Sequence, residues 1–183
     1  RMELAARFGS SYVVATPPRE PCDFQQLTDR YGDLLEIGRD VGVKPTFEYI
    51  SFFHGAQTLD AAWQVVQNVG HSDATLIADA FHTWNSHSNQ QLLGEIPGNR
   101  ISHYHIDDGN PEVARYQQTD PDRVMISDGV IDLEAEIEML RKIGYNGMIS
   151  LELFNQELWQ QDPLKVARLG KKRLDAILQN SIN

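Results

Sequence analysis

The apolar positions of this chain recur in two alternating rhythms. Dense runs of β-branched and aromatic residues predict buried strands at residues 11–16 (SYVVAT), 44–52 (KPTFEYISF), 74–81 (ATLIADAF), 100–108 (RISHYHIDD) and 147–154 (GMISLELF). Between them apolar residues return every three or four positions, as they do on a helix with one buried face. Leu27, Tyr31, Leu34, Leu35 and Val41 share such a face over 27–42, and Leu59, Ala62, Trp63, Val66 and Val69 share one over 58–70. Asp132 as N-cap and Gly144 as stop bound a helix over 132–144, and Asp162-Pro163 is the start signal of a last helix. A short, weakly patterned helix fits 88–94, and the first eight residues read as a helix closed by Gly9. The stretch from about 109 to 129 is irregular, with a very short strand at 123–126 (RVMI).

Strands that alternate with helices argue for parallel βα units, hence an α/β protein. A doubly wound sheet and a (β/α)8 barrel share this grammar, and the barrel ordinarily takes about 250 residues, against 183 here. No linker or low-complexity stretch divides the chain, so residues 1–183 are expected to form a single domain around one core. The 26 acidic against 16 basic residues give a formal charge of −10, which repels phosphate backbones and anionic bilayers. Neither nucleic acid nor membrane is therefore an expected partner. Cys22 stands alone, so an internal disulfide and a cysteine-built zinc site are both excluded. A reducing, cytoplasmic setting fits.

Polar residues interrupt the apolar runs at particular places. In either α/β architecture function collects at the carboxyl ends of the strands. Glu48, Asp79, His105 and Glu152 occupy those ends. The gaps of 31 and 26 residues between the first three match one βα repeat; the gap of 47 matches two, with RVMI as the poorly formed strand between. Thr46 and Glu48, Ile77 and Asp79, His103 and His105, and Ser150 and Glu152 each share a strand face. Each end residue has an ordinary explanation when taken singly. Asp79 would cap the next helix, and a buried glutamate would find a cation. Four in successive strand positions are a different matter. Three carboxylates converging on one barrel mouth repel each other unless a cation sits among them. With one imidazole they form an N/O donor set for one divalent ion: Mn²⁺, Zn²⁺, Co²⁺ or Mg²⁺.

The strand ends FEY, DAFH, YHIDD and SLELF resemble the successive active-site strands of the xylose isomerase-like TIM barrels. Within that superfamily the chain is most similar to the 2-keto-myo-inositol (inosose) isomerases, through YHIDD, DPDRV and GVIDLEAEIEMLRKIGYNGMISLELF. The resemblance implies a (β/α)8 barrel in which Glu48, Asp79, His105 and Glu152 bind the metal. It also implies that His82 contacts a substrate oxygen and that Arg123 lies near the substrate. It places two strands and their helices ahead of SYVV, so a longer native protein, with a mass above 20.7 kDa, is expected. Relatives carry Pro-Gly-x-Gly where this chain reads ISDG (126–129), and an apolar residue at the position of His103. His103 is expected to be a hydrogen-bonded interior histidine, and His54, His71 and His87 to be solvated.

The implied chemistry is isomerisation or epimerisation of a polyhydroxy ketone through an enediolate. Glu48 and Glu152 exchange the proton α to the carbonyl. Trp84 either walls a ring face of the substrate or covers the barrel top, and Asp108 orients His105, binds a hydroxyl or is a surface aspartate in a turn. The partner is then a small sugar or cyclitol, with homo-oligomerisation an open expectation. The same residues would serve a lyase, an inosose or 3-dehydroshikimate dehydratase. An endonuclease IV-type phosphodiesterase needs further histidine and aspartate ligands, and no histidine follows His105. A non-catalytic sugar-binding relative would have little reason to keep all four donors.

Overall fold

The computed structural model describes residues 1–180. Helix α1 (Met2–Arg7) leads into β1 (Tyr12–Ala15), α2 (Phe24–Val41), β2 (Lys44–Glu48), α3 (Leu59–Asn68), β3 (Thr75–Asp79) and α4 (Ala80–Trp84). Then come β4 (Ile101–Ile106), β5 (Asp108–Gly109), β6 (Arg123–Val124), α5 (Leu133–Lys142), β7 (Met148–Leu151), α6 (Gln156–Trp159) and α7 (Pro163–Asn180). The weak helical pattern at 88–94 folds as a single 3₁₀ stretch, Gln90–Gly94.

Five strands form one sheet in the order β1-β2-β3-β4-β7, every pair parallel. It is a curled arc of a (β/α)8 barrel, with the helices on its outer side. One expectation is corrected here. RVMI supplies no barrel strand, because Arg123–Val124 pairs antiparallel with Asp108–Gly109 in a separate ribbon and β4 pairs directly with β7. An eight-stranded closure therefore takes three further strands beside these five, one more than the resemblance implied. The long gap between His105 and Glu152 is filled by that ribbon, its loops and α5.

The outer core explains why the helices sit where they do. Leu27, Tyr31 and Leu35 of α2 and Leu59, Ala62, Val65 and Val66 of α3 are buried against Phe47, Leu76 and Ala78 of the sheet. Asp23 caps α2 by accepting from Gln26 N at 2.8 Å, so the helix starts three residues before its apolar stripe does. At Gly38 the helix presses on the following turn. A Cβ there would lie 2.3 Å from Val43 O and 2.5 Å from Pro45 Cδ, so only glycine permits this approach. The Tyr31 hydroxyl crosses from α2 into the sheet, accepting from Thr75 N (3.1 Å) and lying within donating distance of Thr75 O (2.8 Å) and Pro45 O (3.1 Å).

The register sets the height of each strand end. Glu48 pairs with Ile77, so Asp79 stands two residues further along; Asp79 is level with His105. His105 pairs with Ser150, so Glu152 again stands two residues beyond. Such steps are what tilted barrel strands require. Between β3 and β4 the pairing also slips by one residue: Leu76 faces Ile101 while Ile77 faces His103, leaving Ser102 as a bulge. The bulge lets Ile101 join the outer core although His103 and His105 turn to the concave side. The freed Ser102 hydroxyl donates to Leu76 O (3.2 Å) and closes a buried chain through Thr46 Oγ1 (2.6 Å) to Thr75 Oγ1 (3.1 Å).

Candidate metal centre

Glu48, Asp79, His105 and Glu152 come together as the strand alternation requires. Each offers one donor atom, and the four atoms lie within 4.8 Å of one another. His105 Nδ1 is 2.9 Å from Glu48 Oε1, 3.2 Å from Glu152 Oε2 and 3.6 Å from Asp79 Oδ2. Donors held about 2.1 Å from one ion sit about 3 to 4.2 Å apart, so these spacings suit a shared cation. Alignment supports the same reading. Glu48 Oε1 and His105 Nδ1 are buried, yet neither has a hydrogen bond of acceptable geometry. The cluster fits a divalent metal ion.

His105 offsets part of the negative charge of the three carboxylates. Burial works against its protonation, but Asp79, Glu152 and Glu48 outweigh that and push the imidazole up to about 12. Burial raises Glu48 above the ordinary carboxylate value, and the charges of Asp79 and Glu152 add to it against the pull of His105. For Asp79 burial is overcome by the Arg123 and His105 charges, which hold the carboxyl well below its usual range.

Asp79 does two things at once. Its Oδ1 caps α4 by accepting from His82 N at 2.6 Å, and its Oδ2 faces the cluster. The cap takes one oxygen and leaves the other facing the cluster. Tyr49 fixes the strand end from the other side, its hydroxyl accepting from Asp79 N (3.2 Å) and contacting Thr83 Oγ1.

Arg123, implied to lie near the substrate, is 1% exposed and surrounded by anions. Its Nη1 contacts Asp79 Oδ2 (2.9 Å), Glu152 Oε2 (3.3 Å) and, closer still, Asp107 Oδ2; its Nη2 donates to Asp120 Oδ1 and His82 Nε2, both at 3.0 Å. His82, expected to reach a substrate oxygen, is buried with both ring nitrogens engaged. Nε2 accepts from Arg123, while Nδ1 lies 3.3 Å from the Ser51 N–H that donates to it and 3.1 Å from Ser51 Oγ. Burial, with the Arg123 charge adding, holds His82 down at about 4, so it stays neutral. Asp108 neither orients His105 nor opens to a ligand. It accepts from the backbone of Ser127 (3.1 Å), Gly129 (3.1 Å) and Ile131 (2.8 Å) and pins the ISDG loop. Ser127 takes φ 70° in that loop, the left-handed conformation that the glycine of the relatives' motif supplies freely. Trp84 is half-buried over Gly109, with the Arg115 guanidinium 5.3 Å from its ring.

Asp107 is the residue that sequence reasoning passed over. It is fully buried, accepting from Phe81 N (2.9 Å) and from Arg123. Alternation could have found it, since residues 103, 105 and 107 share a face. His103 lies half-buried in a cleft of about 390 Å³ on the concave side, with Nδ1 3.1 Å from Ser102 Oγ and an edge contact to Tyr12. His54 and His87 are exposed, whereas His71 is tied in, accepting from Asp73 N at 3.0 Å and facing Glu36 at 3.4 Å. Among the described residues no helix is long and apolar enough to cross a membrane.

Comparison with known proteins agrees with this geometry. The Bacillus subtilis inosose isomerase is 30% identical over 178 residues, covering 93% of this chain and 64% of its own length. The Bacillus velezensis inosose isomerase is 29% identical over 97% of this chain and 65% of its own length, so the chain spans just under two thirds of these relatives. The Pseudomonas putida 3-dehydroshikimate dehydratase is 26% identical over 73% of this chain and 21% of its own length. Among solved structures, the IOLI protein crystallised with a bound zinc atom superposes with a TM-score of 0.87 at 28% identity, covering 98% of this chain and 67% of that one. The family model described as xylose isomerase-like TIM barrel matches residues 1–176. The chain belongs to the xylose isomerase-like TIM barrel family.

Proposed function

We propose that this chain carries the metal-binding half-site of a divalent-metal-dependent isomerase or epimerase acting on a polyhydroxy ketone, an inosose or a ketose. One observation carries the reading: four donors from four strand ends lie within 4.8 Å, two of them buried with no aligned partner. The likeness to inosose isomerases supports the substrate class, and the zinc in the IOLI structure supports a divalent ion. Glu48, Asp79, His105 and Glu152 would hold that ion. When bound, it polarises a carbonyl and lowers the cost of negative charge on the adjacent oxygen.

The chain's own carboxylates would move the proton. Glu48 and Glu152 flank His105 Nδ1 at 2.9 and 3.2 Å and reach the cluster from opposite ends of the strand set β2-β3-β4-β7. Glu152, with 32% of its side chain exposed, is the more accessible base and takes the proton α to the carbonyl; Glu48 returns it on the other carbon or face. Arg123 contacts two of the carboxylates, Asp79 and Glu152.

The relatedness to 3-dehydroshikimate dehydratases favours one second reading. The same α-proton removal, followed by loss of a β-hydroxyl, is a dehydration. Incubation with inososes and ketohexoses in D₂O with added Mn²⁺ separates them. Deuterium in an isomeric product supports isomerisation, and an ultraviolet-absorbing enone supports the lyase. Glu152→Gln is expected to abolish either activity; full activity in that variant would sink both.

A further inference from the structure

We propose that Asp107 is a positioning residue for the substrate side of the site: it holds Arg123 and the helix turn that carries His82, and so sets where both stand against the four donors. The proposal rests on the proposed isomerase or epimerase function and on the resemblance that puts Arg123 and His82 at the substrate. Asp107 directly follows β4 and is fully buried. Its Oδ1 accepts from Phe81 N at 2.9 Å, and its Oδ2 contacts Arg123 Nη1. Asp79 repeats the arrangement one residue further along α4, with Oδ1 on His82 N (2.6 Å) and Oδ2 on Arg123 Nη1 (2.9 Å). Helix α4 therefore starts on two carboxylates that share one guanidinium nitrogen. A helix of five residues has little stability of its own, so the partners of its first N–H groups set its direction.

The contacts close into a ring. Arg123 Nη2 donates to His82 Nε2 at 3.0 Å, His82 follows Phe81, and Phe81 N returns to Asp107. The Phe81 ring also lies 4.8 Å from the guanidinium carbon. Asp107 thus reaches His82 twice, through the backbone and through Arg123, while Arg123 Nε has no protein partner. Charge gives Asp107 its particular place. Of the four acids against Arg123, Asp79 and Glu152 present to it the same oxygens that face His105, so an ion in the cluster would draw on both. Asp120 has 35% of its side chain exposed. Asp107 lies outside the four-donor cluster, and it is the buried anion left to the guanidinium when the donors serve the ion. Removing its charge while keeping its shape therefore loosens Arg123 and His82 and leaves the metal ligands in place.

The test is Asp107→Asn, read by ¹⁵N NMR of the full chain with and without Zn²⁺, by Zn²⁺ calorimetry and by turnover of inososes and ketohexoses. Whichever way the amide turns, one of its partners, Phe81 N–H or Arg123, meets a donor instead of an acceptor. A held guanidinium shows separate Nη resonances, whereas a freely rotating one shows an averaged signal. In the wild type the Arg123 signals, assigned by their loss in Arg123→Lys, should be resolved in both states. In Asp107→Asn they should merge and the His82 ring nitrogens should shift. Zn²⁺ affinity should stay within about threefold of wild type, with kcat/KM lowered about tenfold or more. Resolved Arg123 signals and unmoved His82 nitrogens in the variant overturn the proposal and leave Asp107 a helix cap. Zn²⁺ affinity that falls about tenfold or more overturns it too, because Asp107 would then act on the donors. If the variant does not fold, the wild type decides: Arg123 signals that stay resolved on zinc loading support the proposal, and signals that merge overturn it. A wild-type chain that binds no Zn²⁺ or turns over none of these substrates overturns the proposed function, while the zinc-free NMR comparison still decides what Asp107 holds.

Discussion

Glu136 offers a sharp test of the physical reasoning away from the metal. It lies on α5, fully buried against β4, and its Oε2 accepts from the Tyr104 hydroxyl at 2.7 Å. Burial pushes its pKa up to about 8 from 4.5, only partly offset by that hydrogen bond. The folded chain therefore keeps the proton until about pH 8, while the unfolded chain releases it near pH 4.5. Below 4.5 both states are protonated and the packing contributes in full. Between 4.5 and 8 the folded state holds the extra proton, so stability falls with rising pH by about 1.4 kcal/mol per unit, about 5 kcal/mol across the window. Glu136→Gln is neutral in both states, and its carbonyl oxygen still accepts from Tyr104. Urea unfolding of both proteins at pH 5, 6, 7 and 8 in chelator gives the comparison. The variant should gain on the wild type with each step upward, ending several kcal/mol ahead less the cost of its unpaired amide hydrogens. A difference independent of pH would show that Glu136 is ionised in the fold and would refute the reasoning.

Other consequences follow from single contacts. Tyr31→Phe deprives the buried Thr75 N–H of its hydroxyl acceptor and should cost about 1–3 kcal/mol in urea unfolding; an unchanged midpoint would mean that water replaces the hydroxyl. Ser127→Gly relieves a left-handed residue at φ 70° and should be neutral to stabilising by up to about 1 kcal/mol, whereas a clear loss would mean that the serine side chain holds the loop. Mn²⁺ at a hundredfold excess over its dissociation constant should stabilise the chain by about 2.7 kcal/mol, reversibly with chelator; a melting temperature indifferent to Mn²⁺ contradicts the assignment of the four donors.

The chain shows plainly which parts of this design are local. Asp132 before Leu133 and Asp162 before Pro163 bounded their helices correctly, because a cap satisfies backbone groups within its own turn. The pairs 46/48, 77/79, 103/105 and 150/152 placed four donors on one face, because side-chain direction alternates strictly along a strand. RVMI failed as a barrel strand for the opposite reason. Its two paired residues found Asp108–Gly109 instead of a sheet neighbour, and strand partners are chosen across distances that local pattern does not encode.

The same division runs through the site. The sequence by itself determined the four donors, their spacing and the class of ion they suit, since all of that follows from strand period and donor chemistry. Only the tertiary structure decided what stands behind them. Asp107 and Arg123 meet across 16 residues, Arg123 and His82 across 41, and Arg123 and Asp79 across 44. A lone arginine in a loop reads as a surface or substrate residue until the fold buries it. Five surrounding polar groups then hold its two terminal nitrogens, the close pairing that a desolvated charge requires.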